Sequence, residues 1–367
     1  MRKELVIVTA LSLIVTGCIN SIATKYQDNQ CVRDCDSISP VLFEQPVLQT
    51  LQMFIGEISL MFVMFWQKYN SRNGYEAVPS AESLNKTKLP SRQSYALALP
   101  AICDICGTTL MNLALTMIPV SIYQMTRGVL ILFVALFSVF FLKHKISRFE
   151  WLSLFIVVFG VFLVGYSGNV GVTVDVSLVT GVLLIVLAQV CTATQFVLEE
   201  HIMSKWIIPP STLVAFEGIY GASITLLTML IASVTFAQNK QNSSFNIVYS
   251  LQDMFVNPRV LYSSIIIMIS IACFNFFGIT LTNSMNATVR STIDTCRTLL
   301  VWLVSLSLGW ESFKLTQFNG FVLLVLGTLL FNGAITIDKK RLPQWLTKDY
   351  PGDDRIINVI DEEVERF

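Results

Sequence analysis

Long apolar runs separated by short polar stretches dominate this chain. A helix needs about 20 mostly apolar residues to cross a bilayer, and ten runs approach or exceed that length. They occupy residues 5–24, 47–68, 94–117, 120–142, 151–168, 179–200, 213–236, 261–284, 288–309 and 318–335. The pattern predicts an all-α integral membrane protein whose ten transmembrane helices lie in the lipid bilayer.

The composition agrees with this prediction. The chain is 53% apolar and 14% charged, whereas soluble domains usually contain about 25% charged residues. A net charge of zero gives no indication of a nucleic-acid partner. His144 and His201 are too far from any cysteine pattern to indicate a zinc site, and we find no Walker segment, nucleophile elbow or HExxH motif. The sequence predicts no enzyme activity, no metal site and no cofactor.

The first apolar run allows two interpretations. Arg2 and Lys3 precede LVIVTALSLIV, as in a secretory signal, and Cys18 imitates a lipoprotein cleavage site. We favour a first transmembrane helix, because the run continues beyond Cys18 and nine further spans follow.

The distribution of basic residues predicts the orientation of the chain. With a cytosolic N-terminus, 18 of the 25 Lys and Arg residues fall on the cytosolic side and five on the other. The positive-inside rule therefore places both termini in the cytosol. The remaining two residues, Arg127 and Arg297, lie inside predicted spans.

Several polar segments connect or follow the spans. Residues 70–93 form a predicted cytosolic linker, and residues 336–367 an acidic cytosolic tail. Cys31 and Cys35 lie in a lumenal segment, where they could form a disulfide or remain free thiols. Asn242 is the N-x-S/T sequon on the predicted lumenal side with a long enough loop, so we expect glycosylation there.

The two halves of the chain, residues 1–168 and 179–335, show a weak internal match. GTTLMNLALTMIPVSIYQMTRGVL aligns with GITLTNSMNATVRSTIDTCRTLL with one gap, which places Arg127 on Arg297. Asp104 falls on the position of Asn275. Because each half holds five spans, an odd number, the second half must be inverted, as in many secondary transporters. This pattern favours a carrier with its site near the midplane.

The residues also resemble a known family. The run GTTLMNLALTMIPVSIYQMTRGVLILFVALFSVFFLKHKISRFEW, with FEQPVLQTLQMFIGE and AQVCTATQFVLEEHIM, is similar to the drug/metabolite transporter superfamily. The closest pattern is that of the F branch of solute carrier family 35, particularly its sixth member. The resemblance implies ten helices in two inverted five-helix repeats around a central cavity. It also implies an endomembrane location, with lysosome or vacuole favoured over Golgi or ER.

Polar side chains inside the spans are the candidate binding residues. An arginine near a helix centre costs roughly 2.5–3.5 kcal/mol on insertion scales, so it normally faces a cavity, a partner or a substrate. The candidates for substrate binding are Arg127, Gln124, Tyr123, Arg297, Asp294, Asn20 and Gln195. Asp294 and Arg297 lie one turn apart and could neutralise each other.

Arg127 has no acidic neighbour on its own helix. Its counter-charge could come from Glu57, Asp104 or Glu217, or from the cargo itself, unless the side chain snorkels to the lumenal interface. These three acids could alternatively bind protons during transport. Glu199 and Glu200 are predicted to be solvated at a cytosolic helix end.

The sequence therefore predicts a secondary-active carrier of a small polar, anionic metabolite, nucleotide-sugar-like or phosphorylated, that works by alternating access. Interior acids outnumber the two span arginines, so a cationic or drug-like cargo is an alternative. A non-transporting scaffold that keeps the carrier fold is another. The carrier could act as a homodimer.

Overall fold

A computed structural model describes most of the chain. The described residues are 3–33, 35–36, 41–43, 45–72, 87–88, 95–143, 147–168, 176–235, 247–310, 313 and 315–331. Most of the predicted linker, the whole predicted tail and the sequon at Asn242 lie outside them.

The described part is almost entirely helical. Its helices are α1 (Lys3–Asp28), α2 (Pro46–Ile58), α3 (Leu60–Arg72), α4 (Ala98–Met117), α5 (Val120–Arg127), α6 (Leu130–Phe141), α7 (Arg148–Gly168), α8 (Val176–Lys205), α9 (Pro210–Thr235), α10 (Ile247–Val256), α11 (Pro258–Ser284), α12 (Ala287–Ser307) and α13 (Leu315–Phe331). The short α10 was not predicted from the sequence.

Among the described residues, seven helical stretches are long and apolar enough to cross a membrane. They are Glu4–Asp28, Pro46–Trp66, Tyr95–Met117, Ile122–Phe141, Val176–Lys205, Pro210–Val234 and Pro258–Ser284. The helix α13 is apolar but shorter. Seven of the ten predicted spans thus have a counterpart among these stretches, and the chain is a helical protein with membrane-spanning segments.

Two predicted spans are interrupted rather than continuous. The span 47–68 is divided between α2 and α3 at Ser59. The span 120–142 is divided at Gly128 and Val129, where i→i+3 hydrogen bonds from Gly128 N to Met125 O and from Val129 N to Thr126 O replace the α-helical pattern. This break leaves Arg127 at the C-terminal end of α5, where the helix dipole favours a cation.

Two short pairs of β-strands lie in the segments that connect the helices. Strands β1 (Cys31–Arg33) and β2 (Val41–Leu42) pair antiparallel between α1 and α2, while β3 (Thr87–Lys88) and β4 (Trp206–Ile207) pair in parallel. Cys31 and Cys35 form a disulfide beside the first pair. Arg33 binds Asp253 of α10 through Nε and Nη2, at 2.9 and 2.5 Å.

The helices pack in a pattern that repeats between the halves of the chain. Helix α1 packs along α11, as α4 packs along α8, and α2 contacts α11 as α4 contacts α9. Glycine allows the closest approach: a Cβ on Gly56 would lie 2.2 Å from Met268 O of α11. The apolar core consists of several clusters between helices, and many polar side chains are buried as well.

Candidate functional site

A polar cavity lies where α1, α2, α4, α5, α8, α11 and α12 meet. It contains about 730 Å³ of empty space, its opening included. Its charged lining residues are Asp104, Arg127, Asp294 and Arg297. Its uncharged polar lining residues are Asn20, Ser21, Thr24, Thr108, Asn112, Tyr123, Thr192, Gln195 and Asn275.

A single carboxylate joins the two arginines of this cavity. Asp294 accepts a hydrogen bond from Arg297 Nε at 2.7 Å, and its other oxygen lies 3.8 Å from Arg127 Nη2. All three side chains are largely buried. The expected Asp294–Arg297 pair is therefore present, and Asp294 also supplies the counter-charge for Arg127, in place of Glu57, Asp104 or Glu217.

Arg297 is held on several sides. Its Nη1 donates to Ser21 Oγ at 2.9 Å and to Gly17 O at 3.2 Å, both on α1. The guanidinium lies 5.0 Å from the centre of the Phe274 ring, a cation–π distance. A Cβ on Gly17 would lie 2.3 Å from Arg297 Cδ, so the absence of a side chain there makes room for the arginine.

Arg127 has fewer contacts with the protein than Arg297. Its guanidinium has the longer contact to Asp294 and lies 5.6 Å from the centre of the Tyr123 ring. Two arginines share one aspartate, which gives this group a net charge of about +1 under ordinary conditions. We call Arg127, Asp294 and Arg297 the arginine pair with its bridging aspartate.

Several buried donor atoms at the cavity have no hydrogen-bond partner among the described residues. They are Asn20 Nδ2, Arg127 Nε and Arg297 Nη2. A buried donor without an acceptor costs about 1–3 kcal/mol, more when it is charged. The arrangement therefore suits a ligand that brings oxygen acceptors and negative charge.

The α4 and α8 wall carries different chemistry. Thr108 Oγ1 donates to Asp104 Oδ1 at 2.7 Å, and Gln195 Nε2 donates to Glu199 Oε1 at 2.8 Å. Asp104 thus adds one negative charge to the same cavity, while Gln195 connects the cavity to a buried glutamate behind its wall.

Glu199 is not solvated, contrary to the prediction. It is fully buried and forms an ion pair with Arg290, which is 1% exposed and lies over the Phe196 ring. The helix end is covered because α12 begins against it, with Ala287 N donating to Glu200 Oε2 at 2.9 Å. Arg290, counted on the cytosolic side from the distribution of basic residues, is a third buried arginine.

The cavity brings together most of the predicted site residues. Arg127, Tyr123, Arg297, Asp294, Asn20, Gln195 and Asp104 all line it. Gln124 is buried but does not line the cavity, since it points about 100° around α5 from Tyr123. Glu57 and Glu217 are each 1% exposed and lie behind the wall. Sequence reasoning missed Ser21 and Phe274, whereas its alignment of Asp104 with Asn275 pointed to Asn275.

Comparison with known proteins gives the class of this chain. The family model described as nucleotide-sugar transporter matches residues 3–192. Solute carrier family 35 member F6 of Homo sapiens is 33% identical over 329 residues, which cover 88% of this chain and 87% of that protein. An uncharacterized protein of Schizosaccharomyces pombe is 38% identical over 325 residues, covering 88% and 96%.

These similarities define a membrane transporter of small solutes rather than an enzyme. More particularly, the chain belongs to the nucleotide-sugar transporter family, and its relatives match the F branch of solute carrier family 35. It is an integral protein of the endomembrane system.

Two further comparisons gave a structural match over most of the chain and a sequence match over part of it. A solved crystal structure of a protein superposes with a TM-score of 0.57 at 12% identity, covering 93% of this chain and 100% of the other, so the two share a fold. The UDP-N-acetylglucosamine/UDP-N-acetylgalactosamine transporter nstp-4 of Caenorhabditis elegans is 30% identical over 126 residues, 33% of this chain and 37% of that one.

Proposed function

We propose that this protein is a secondary-active carrier of a small anionic metabolite, nucleotide-sugar-like or phosphorylated, that works by alternating access. One observation carries the proposal: Arg127 and Arg297 share Asp294 at the wall of a central cavity, beside unpartnered buried donors. An anionic group that binds Arg127 would balance the net positive charge of the arginine pair with its bridging aspartate.

The chemistry of the lining supports a phosphate-bearing cargo. Guanidinium groups recognise phosphate and carboxylate oxygens with two parallel hydrogen bonds. Tyr123 and Phe274 place aromatic rings beside the arginines, where they can pack against a sugar or a base. The similarity to a carrier named for UDP-sugars points in the same direction.

The proposed architecture is two inverted repeats of five helices around this cavity. Equivalent helices contribute equivalent groups: an amide from the first helix of each half (Asn20, Gln195) and an arginine from the fourth (Arg127, Arg297). The third helices contribute Asp104 and Asn275. Helix contacts that repeat between the halves support this arrangement, and binding between repeats is the usual basis of alternating access. We place the carrier in lysosomes or vacuoles in preference to Golgi or ER.

Uptake into proteoliposomes tests this function. The purified protein is reconstituted and offered radiolabelled UDP-, GDP- and CMP-sugars, sugar phosphates and, as a contrasting class, organic cations. We expect saturable uptake of at least one phosphorylated compound. The loss of one charged hydrogen-bond donor costs about 1.5–3 kcal/mol, so Arg127→Gln should weaken apparent affinity by about tenfold to a hundredfold.

Arg259→Gln is the matched control, since it removes the same charge from an exposed side chain outside the cavity. Uptake by this control should equal that of the unaltered protein. The opposite result would be uptake of organic cations alone, with a reduction in Asp104→Asn and no change in Arg127→Gln. That result would show that the cargo is positively charged and contradict the proposal.

A further inference from the structure

Four carboxyl groups from four helices interact electrostatically at the cavity wall and behind it. They are Glu57 of α2, Asp104 of α4, Glu199 of α8 and Glu217 of α9, here called the acid cluster. Each of them interacts electrostatically with Arg290 of α12. Glu57 and Glu217 also interact with Asp104, with Glu199 and with each other. The cluster therefore contains four acids and one base.

The balance of charge in this cluster does not allow four ionised carboxylates. Full ionisation leaves three negative charges without a counter-charge, in side chains that are at most 1% exposed for Glu57, Glu199 and Glu217. The penalty for burying an unpaired ion is several kcal/mol. A buried acid avoids this penalty by taking up a proton.

Hydrogen bonding separates the acids that are satisfied from those that are not. Glu199 accepts from both Arg290 and Gln195. Glu57 Oε1 accepts from Asn275 Nδ2, but Glu57 Oε2 and Glu217 Oε1 have no hydrogen-bond partner in the part of the chain that the structure describes. Each of these two almost fully buried glutamates therefore has one oxygen that is a candidate for protonation.

Within the described part of the chain, the other groups that interact with the cluster add no compensating positive charge. Helix α11 contributes the neutral amide of Asn275. Cys103 of α4 interacts with Asp104 and Glu199, and its thiol adds no cation. Arg127 and Arg297 interact with Asp294, which already binds both of them.

We propose that the acid cluster is a proton-binding site of the carrier and that Asp104 connects it to the cavity. This inference rests on the transport function proposed above. Asp104 lines the cavity and also interacts with the buried glutamates, and Gln195 contacts both the cavity and Glu199. A proton that enters from the cavity thus reaches two buried glutamates that connect helices. Glu199 joins α8 to α12 through its ion pair with Arg290, and Glu57 joins α2 to α11 through its hydrogen bond with Asn275.

Infrared difference spectroscopy of the reconstituted protein tests the site without any cargo. Protonated carboxylic acids give a carbonyl-stretch band that ionised carboxylates lack. We expect this band at neutral pH, with a downshift in D₂O and a further downshift after labelling with ¹³C-glutamate. Glu57→Gln and Glu217→Gln should each remove part of it, whereas Glu4→Gln, an exposed acid on α1, should leave it unchanged.

Glutamine imitates a protonated glutamate, so both variants should also keep the folded stability of the unaltered protein. Absence of the band at neutral pH from the unaltered protein would overturn the proposal without recourse to any variant. A band that persists at full intensity in both glutamine variants would do the same. Because no substrate is involved, these outcomes are independent of whether the anion-transport proposal succeeds.

Discussion

Asp294 makes the two cavity arginines chemically unequal. Arg297 has a 2.7 Å hydrogen bond to it, two further acceptors on α1 and an aromatic ring, whereas Arg127 has a 3.8 Å contact and one ring. The arginine with fewer protein contacts has more of its hydrogen-bonding capacity left for a ligand. Arg127 is therefore the principal cargo contact in our proposal, and Arg297 holds the bridging aspartate in place.

Gly17→Ala tests how Arg297 is positioned. The new methyl group would lie 2.3 Å from Arg297 Cδ, so the arginine must move away from Ser21 and from Asp294. Loss of a hydrogen bond to a charged group costs about 1.5–3 kcal/mol, so we expect uptake to fall about tenfold or more.

The control is Thr16→Ala on the same helix, because Thr16 Oγ1 bonds only to carbonyl oxygens of its own α1. Uptake assays and thermal unfolding are run on both variants. Equal uptake by Gly17→Ala and the unaltered protein would show that the position of Arg297 does not matter for transport.

Hydropathy predicts helical elements well here and predicts their interruptions and partners poorly. The break at Pro119 follows from the residue itself, since proline cannot donate within a helix. The break after Arg127 was missed because glycine is tolerated in membrane helices, and here Leu324 of α13 occupies the space beside Gly128. The pairing of Glu199 with Arg290 joins α8 to α12, and no periodicity within either helix indicates it.

The Glu199–Arg290 pair gives a prediction about helix association. Arg290→Gln leaves a buried carboxyl without its counter-charge, and breaking such a pair typically costs about 3–5 kcal/mol. The double variant Glu199→Gln/Arg290→Gln should lose less stability. Acidic conditions should reduce the penalty of the single variant, since protonated Glu199 needs no counter-charge.

Unfolding in mixed detergent micelles, carried out as a double-mutant cycle at several pH values, measures this coupling. Arg259→Gln, at an exposed position, should change stability by no more than about 0.5 kcal/mol. A double variant less stable than Arg290→Gln alone would contradict the pairing.

At the scale of the whole molecule, the sequence indicated the kind of protein more clearly than the arrangement of its site. Arg127, Arg297 and Asp104 were identified as interior polar residues, and all three line the cavity. Their distances depend on helices distant in sequence: Ser21 reaches Arg297 because α1 crosses α12. A single sequence contains no signal for that crossing.

The proposed topology predicts one modified sequon. With both termini in the cytosol, Asn242 faces the lumen, so an endoglycosidase should increase the gel mobility of the unaltered protein and leave that of Asn242→Gln unchanged. Asn85→Gln should behave like the unaltered protein. A glycan that depends on Asn85 would instead place the linker in the lumen and reverse the orientation.

The ion pair between Arg33 and Asp253 links the connection after α1 to the short helix before α11, and so joins the first half of the chain to the second outside the cavity. Asn257 Nδ2 adds a bond to Cys31 O. In the alternating-access cycle that we propose, rocking of one half against the other on this side would stretch or break that link. The Arg33 side chain is 25% exposed, so dissolved ions can screen it. In the proposed transport cycle, the ionic strength of the surrounding fluid should therefore change the energy of opening.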